Sequence, residues 1–339
     1  MVSIYDIAEA VGVSPSTVSR ALRGKGYCSE EKRQLVLKKA EEMGYSPTLA
    51  AKTLKSNRTQ KILFCIPDIY NPFYFRMIKG ATDVFEQNGY FPVLCHTKGQ
   101  IELELKMIQN LNERYGDGMI LVSFHFTEQN IQAVNHCEMP IVLTNRYESE
   151  NPIYDRFDYV YIDTFEGIRM ATQYLAQLGH RRLAYIGGKS ETQTGRERLA
   201  GYMQGMKDSG IDLNPSLIKS GDYTSDSGEK AAYELLMSEP KPTGMVCAND
   251  LMAFGALKAC HRVGLKVPDD MSVIGMDNTE TATWSNPPLT SIIMKEEEIG
   301  HHAATFLMER IMHNRVKRKT MRLTPDICIR DSCAKPKTI

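Results

Sequence analysis

The chain has 339 residues, 41 Lys+Arg against 41 Asp+Glu, 42% hydrophobic residues and eight cysteines. That length can bury a large core spread over two or three domains, and the composition is that of an ordinary soluble globular protein. The net charge of zero conceals an asymmetry: residues 1–60 carry 10 Lys+Arg and 6 Asp+Glu, a net of +4, which leaves 31 against 35, a net of −4, for the remainder. A basic head on a mildly acidic body suits a polyanionic partner, although charge alone does not separate this from random scatter.

The cysteines at 28, 65, 95, 137, 247, 260, 328 and 333 form no C-x-x-C pair and no Cys/His cluster. They read as reduced, mostly buried thiols of a cytoplasmic protein, with no zinc site and no cofactor expected. Asp6 and Glu9 interrupt the first ten residues, so no signal peptide is expected, and the apolar runs are far shorter than the ~20 residues of a membrane span.

At the start of the chain, "IYDIAEAVGV" puts Ile4, Ile7, Ala8 and Val11 at helical spacing, with Gly12 as a left-handed stop. In "GVSPSTVSRAL", Ser14 reads as an N-cap and Pro15 falls at N1, where its missing N–H costs nothing and its fixed φ suits a helix. Val18, Ala21 and Leu22 form the apolar face, leaving Ser16, Thr17, Ser19 and Arg20 on the other side. Two short helices around a glycine turn make a helix-turn-helix, with an arginine that can pair bidentately with guanine in a major groove. A generic helical hairpin would look similar. A third helix follows, with Ser29 as cap, Leu35, Val36, Ala40 and Met43 inward, and Gly44 as a stop. "SPTLAAKTLKS" (46–56) is too short to be a stable helix alone and could be a plain linker.

From Lys61 onward, continuous apolar strands ("KILFCIPD", "DGMILVSF", "TGMVCAND", "MSVIGMDN") alternate with amphipathic helices ("PFYFRMIKGATDVFEQNGY", "TFEGIRMATQYLAQLGH"). The alternation predicts an α/β body of two successive doubly wound parallel-sheet subdomains behind a small all-α head. Such sheets bind ligands at the carboxyl ends of their strands, and the residues found there are polar and aromatic with few charges. No phosphate-cradling G-K-[ST] and no G-x-S-x-G occurs, so no motif supports an enzyme.

"IYDIAEAVGVSPSTVSRAL" and "VLKKAEEMGYSPTLAAKTLKSNRTQKI" together resemble the DNA-binding head and hinge of the LacI/GalR family of bacterial transcription regulators. The body, through "PDIYNPFY", "LGHRRLAYIGG", "RERLAGY", "ANDLMAFGAL", "MSVIGMDNTE" and "PPLTSI", resembles that family's periplasmic-binding-protein-like core over nearly its whole length. The resemblance implies a helix-turn-helix head over 1–46, a hinge helix and linker over 47–60, and an effector core over 61–339. The core's N-lobe would take about 61–161 and 291–321, and its C-lobe about 162–290 and 322–339. Base-reading positions fall on Pro15, Ser16 and Arg20, within a DNA-binding set of Ser14, Pro15, Ser16, Thr17, Arg20, Arg23, Ser29, Lys52, Leu54 and Lys55. Pro15 departs from residues with side-chain donors and can offer only apolar contact. Leu54 would wedge into the minor groove at the central base step of a palindromic operator.

Carried over in the same way, the effector pocket holds Phe73, Tyr74, Asn145, Thr194, Arg198, Tyr223, Asn249 and Asp277. Each has an ordinary structural reading: Asn249 and Asp250 as helix caps, Arg198 as an interlobe ion-pair partner, Phe73 and Tyr74 as packing. Trp284, the only tryptophan, is expected in interlobe packing. Many relatives carry Asp where Asn145 stands. After Met321 no leucine heptads follow, so a homodimer is expected. The function implied is a sequence-specific DNA-binding regulator, expected to repress carbohydrate use under the control of a sugar or sugar derivative between its lobes. A nucleobase, nucleoside or protein corepressor is the alternative, and a solute-binding protein without DNA function is a further one.

Overall fold

The computed structural model describes residues 2–23, 26–45, 58–123, 127–145 and 157–337. The chain divides into two compact units, residues 1–59 and 60–339.

Among the described residues, the first unit is three helices: α1 (Ile4–Val11), α2 (Pro15–Arg23) and α3 (Glu30–Glu42). Ser3 and Asp6 form a reciprocal capping box at the start of α1, and Gly12 closes it at φ 71°, ψ 34°. The Ser14 hydroxyl accepts from the Thr17 N–H at 3.3 Å, which confirms Ser14 as the cap and Pro15 as N1. Ile7, Ala8, Val18, Ala21, Val36 and Ala40 are the buried core of the head. Two expectations fail here. Leu35 is 53% exposed because the inward stripe of α3 runs through Val36, Ala40 and Met43, and Leu35 stands one position round from it. Ser29 takes the cap position of α3 but makes no capping side-chain bond.

The second unit carries two six-stranded sheets. β1 (Lys61–Ile66), β2 (Phe91–His96), β3 (Gly118–Leu121), β4 (Ile141–Leu143), β5 (Asp158–Ile162) and β11 (Thr320–Leu323) form the first, in the order β11-β5-β4-β3-β1-β2. All of its pairs are parallel. β6 (Leu183–Gly187), β7 (Ile218–Ser220), β8 (Gly244–Cys247), β9 (Ser272–Asp277), β10 (Thr290–Ile293) and β12 (Asp326–Cys328) form the second, in the order β12-β10-β9-β8-β6-β7. Here only β12 departs from the parallel expectation, pairing antiparallel with β10. Strands β3, β6, β8 and β9 are buried at every residue, as sheets covered on both faces require.

The covering helices are α4 (Phe73–Gln87), α5 (Ile101–Asn112) and α6 (Glu128–His136) on the first sheet. The second carries α7 (Thr164–Gln177), α8 (Gln193–Asp208), α9 (Ser225–Met237) and α10 (Asp250–Arg262), with short α11 (Thr281–Trp284) beyond β9. The final helix, α12 (Glu296–His313), packs on α4. The chain therefore crosses between sheets after Ile162, after Ile293 and after Leu323. The second crossing falls a few residues later than the expected boundary at 290, because β10 belongs to the second sheet. The third likewise follows β11, which runs past 321. Trp284 is 72% exposed at the end of α11, not packed between lobes. All eight cysteines are unpaired thiols, but three are buried and five only half-buried, because several sit at strand and helix ends and not in the middle of the sheets.

Beneath the first sheet lies a buried carboxylate. Glu104 of α5 accepts from the Ser123 hydroxyl at 2.8 Å and the Asn130 amide at 3.0 Å, both on one oxygen. Its other oxygen has no hydrogen-bond partner among the described residues. Burial raises its pKa to about 7. The folded value lies above the unfolded one, so its stabilisation is full below the ordinary glutamate range and is lost as pH rises through about 7. Glu104→Gln keeps an acceptor for both donors and removes the charge. In urea denaturation it should be more stable than the parent by about 1–2 kcal/mol at pH ~8, with the gain vanishing near pH ~5. A gain of the same size at both pH values would show that the fold does not raise the Glu104 pKa.

Candidate functional site

The outer face of α2 gathers Ser14, Pro15, Ser16, Thr17 and Arg20. The Ser14 hydroxyl lies 2.8 Å from the Ser16 hydroxyl and 2.9 Å from that of Thr17. Arg20 is exposed, and its Nε donates to the Ser16 carbonyl at 3.2 Å, which lays the side chain along the helix towards its N-terminal end. A Cβ on Gly26 would come within 3.2 Å of the Arg20 stem, so this left-handed glycine (φ 87°) borders the same face. Ser29 stands at the start of α3, and Arg23 ends α2. Lys52, Leu54 and Lys55, with most of the hinge, lie outside the described residues. Tyr5 and Tyr27, 68% and 90% exposed, add aromatic surface to the head that hydrophobic periodicity could not single out.

In the core, a cavity of about 280 Å³ opens between the sheets, and all eight sequence-derived pocket residues line it. The topology explains the convergence. Phe73 opens α4, Thr194 is the second residue of α8, Asn249 caps α10, and Thr164, not anticipated, opens α7. Four helix N-termini thus border one cleft, and their partial positive charge favours ligand oxygens. Asn249 caps α10, its carbonyl accepting from the Met252 N–H at 2.9 Å, and it lines the cleft with its amide donating to the Tyr223 carbonyl at 3.0 Å. Asn145 is tied to the Ser123 carbonyl. Arg198 is buried, donates Nη1 to the Ala248 carbonyl at 2.9 Å, and lies 5.2 Å from the centre of the Tyr223 ring. No ion pair holds it among the described residues.

Asp277 ends β9 at φ 122°, a conformation a non-glycine residue keeps only when its surroundings impose it. Asp250 imposes it. This buried carboxylate accepts from the Ser291 hydroxyl at 2.5 Å and from the Thr279 N–H and hydroxyl at 2.7 and 2.9 Å. The Asn278 N–H donates to the Ser291 hydroxyl at 2.9 Å, completing the brace. The Asp277 carboxylate has no hydrogen-bond donor of its own among the described residues. Burial and then the Asp250 charge push its pKa up, with Arg198 opposing. Glu296, at the start of α12, is also buried, with neither oxygen hydrogen-bonded among the described residues and Arg76 4.0 Å away, and burial raises its pKa to about 7.

Asp68, Asn71, His96, Lys98, Lys189 and Asp222 also line the cleft and are not among the residues expected there. All but His96, the last residue of β2, lie in the polar stretches that follow the strands, where the signal for them is present in the sequence. Lys98 belongs to the polar run 97–100 after β2, a strand end not among those expected to bear site residues.

A three-helix head with an exposed recognition face, joined to a two-sheet core with a polar cleft, defines a class: DNA-binding regulators built on an effector-binding core. Residues 3–48 match the family described as bacterial regulatory proteins, lacI family, and residues 172–333 match the periplasmic binding protein-like domain. The HTH-type transcriptional repressor PurR of Vibrio campbellii is 32% identical over 336 residues, covering 99% of both chains. The lac repressor dimer bound to operator and the anti-inducer ONPF superposes with a TM-score of 0.84 at 25% identity, over 98% of this chain and 99% of that one. The transcriptional regulator CelR in complex with cellobiose gives 0.75 at 29% identity, over 98% and 100%. The chain belongs to the LacI family and is a DNA-binding transcription repressor.

Proposed function

We propose that this repressor acts as a cytoplasmic homodimer whose operator affinity is set by a sugar or sugar derivative held between the lobes, without catalysis. The observation that supports the ligand class is the meeting of Asp277, Arg198 and Asn249 in one cleft, with Asp277 lacking a protein donor among the described residues. A carboxylate beside a guanidinium offers acceptor and donor to neighbouring hydroxyls of one ring. Phe73 and Tyr223 supply apolar walls for its C–H faces. The core's likeness to a cellobiose-bound regulator agrees. A nucleobase or nucleoside is the second reading, favoured by the aromatic side chains Phe73, Tyr74 and Tyr223, on which a flat ring could stack.

A thermal-shift panel of sugars, glycosides, nucleobases and nucleosides on the full chain separates the two. A ligand at about 100 times its Kd adds about 2.7 kcal/mol. Stabilisation by nucleobases alone would transfer the proposal to the second reading. The lobe angle set by ligand would fix the spacing of two 47–60 segments across the dimer, and so whether they fold and insert Leu54, with Lys52 and Lys55 near phosphates.

On the DNA side, Ser14, Pro15, Ser16, Thr17, Arg20, Arg23 and Ser29 would form the contact surface. Arg20→Ala should cost about 1–3 kcal/mol on the cognate operator and flatten base preference at one position. Equal losses on operator and random DNA in gel-shift titrations would reduce Arg20 to a phosphate contact.

A further inference from the structure

The first sheet sets two cysteines side by side. Cys65 of β1 and Cys95 of β2 are direct register partners in the parallel pairing of these strands. Both pack into one apolar cluster with Ile108 and Leu111 of α5, so both side chains stand on the α5 face of the sheet. Paired strands hold their Cα atoms about 4.8 Å apart, inside the span of about 4.4–6.8 Å that a disulfide bridges. The two thiols differ in access. Cys65 is fully buried, whereas Cys95 is half-buried on β2, the edge strand, next to the exposed Leu94. The Cys95 thiol donates to the Val93 carbonyl at 3.5 Å. The hydrogen bond between the two thiols holds Cys95 below the usual thiol range and lifts Cys65 above it, with burial and then the Glu104 charge adding to the rise. Cys95 is thus the sulfur that an oxidant reaches first, and Cys65 waits beside it.

Both cysteines lie close to the carboxyl ends of their strands. Pro67 and Asp68 after β1, and His96, Lys98 and Gly99 at and after the end of β2, line the cleft. One residue ties these two ends together: Thr97 donates its N–H to the Ile66 carbonyl at 2.9 Å and its hydroxyl to the same oxygen at 3.2 Å. A bridge between 65 and 95 forms one residue before each member of this clasp. Its Cβ atoms must approach to about 3.8 Å, closer than the spacing of the strands that carry them.

We propose that Cys65 and Cys95 form a reversible intrachain disulfide when the protein meets a hydroperoxide, and that the bridge loosens the Thr97 clasp and so reshapes the adjoining wall of the cleft. The Cys95 sulfur, as thiolate, attacks one peroxide oxygen. An S–O bond forms, the O–O bond breaks, and the hydroxide released takes up the thiol proton as water. The Cys65 sulfur then attacks the Cys95 sulfenic acid. The S–S bond forms, the S–O bond breaks, and the departing hydroxide leaves as water with the Cys65 proton. Two electrons pass from the thiols to one peroxide, and an external thiol returns them. A transient bridge of this kind is compatible with a reducing compartment. The proposal holds whichever ligand the cleft takes.

The test treats the reduced full-length protein with one equivalent of hydrogen peroxide. Thiols titrated after unfolding should fall from the eight of the sequence to six. A tryptic digest made without reductant should join residues 62–76 to residues 80–98, with a mass two hydrogens below their sum, and dithiothreitol should separate them. Amide exchange over residues 96–99 should become several-fold faster in the oxidised parent. Cys95→Ser, altered only at the half-buried site, should keep Cys65 reduced and exchange at the parent's reduced rate after the same treatment. Cys65→Ser should leave a Cys95 sulfenic acid that dimedone captures. Cys95 found unmodified, overoxidised to the sulfinic acid or joined to any other cysteine, of the same chain or a second copy, overturns the proposal. A bridged protein with unchanged or slower exchange over 96–99 overturns its effect on the cleft wall.

Discussion

Arg198→Met should lower affinity for the effector by about a hundredfold or more and destabilise the core by about 3 kcal/mol, with the deficit growing as pH rises. Arg198 is the buried cation facing Asp277, whose pKa is raised first by burial and then by Asp250. A group whose folded pKa lies above its unfolded value contributes stability that is complete at low pH and is lost as pH rises through the folded value. Removing Arg198 raises the folded value further, so the variant's penalty is small in acid and largest at neutral and alkaline pH. Asp277→Asn added to Arg198→Met removes the stranded charge. The double variant should recover most of the stability and none of the ligand affinity, because both ligand-facing charges are then gone. Urea denaturation at two pH values, with calorimetry for the ligand found by the panel, reads both effects. A pH-independent deficit in the single variant would show that Asp277 is not its electrostatic partner.

How far the site could be read from the sequence depends on chain distance. Helix starts after buried strands are local signals, and Phe73, Thr194 and Asn249 occupy such starts. What sets Asp277 in place is not local. Asp250 stands 29 residues before Thr279 and 41 before Ser291, and only the fold brings these hydrogen bonds together. The C-terminal stretch is the least legible part. β10, α12, β11 and β12 alternate between the two sheets, so a reading as two successive halves cannot assign them from hydrophobic pattern. Leu35 shows the limit of face assignment in a short helix with several apolar residues: Val36, its neighbour, takes the buried position. Size alone argues for an interior Trp284, but the residue ends a four-residue helix and stays exposed there.

The second large effect is expected at Gly300. This residue of α12 faces α4, and a Cβ there would lie 1.9 Å from the Met77 carbonyl oxygen. Gly80 on α4 is its counterpart: a Cβ would lie 2.1 Å from the Glu297 carbonyl oxygen. The two helices touch backbone to backbone, and neither obstacle is a side chain that can swing aside. Alanine at 300 gains about 1 kcal/mol of helix propensity. Forcing apart helices in a close-packed core costs typically 1–3 kcal/mol and more where backbone must move. The overlap should win, and Gly300→Ala should lose about 2 kcal/mol net in urea denaturation. His301→Ala, exposed on the same helix, serves as the propensity control and should be neutral. The damage should also reach the cleft, since Tyr74 and Met77 of α4 and Ile299 of α12 line it. Ligand affinity should therefore fall in Gly300→Ala although the substituted residue touches no ligand. A Gly300→Ala protein as stable as the parent would mean that α4 and α12 are not in backbone contact, and that the cleft wall they build can shift without cost.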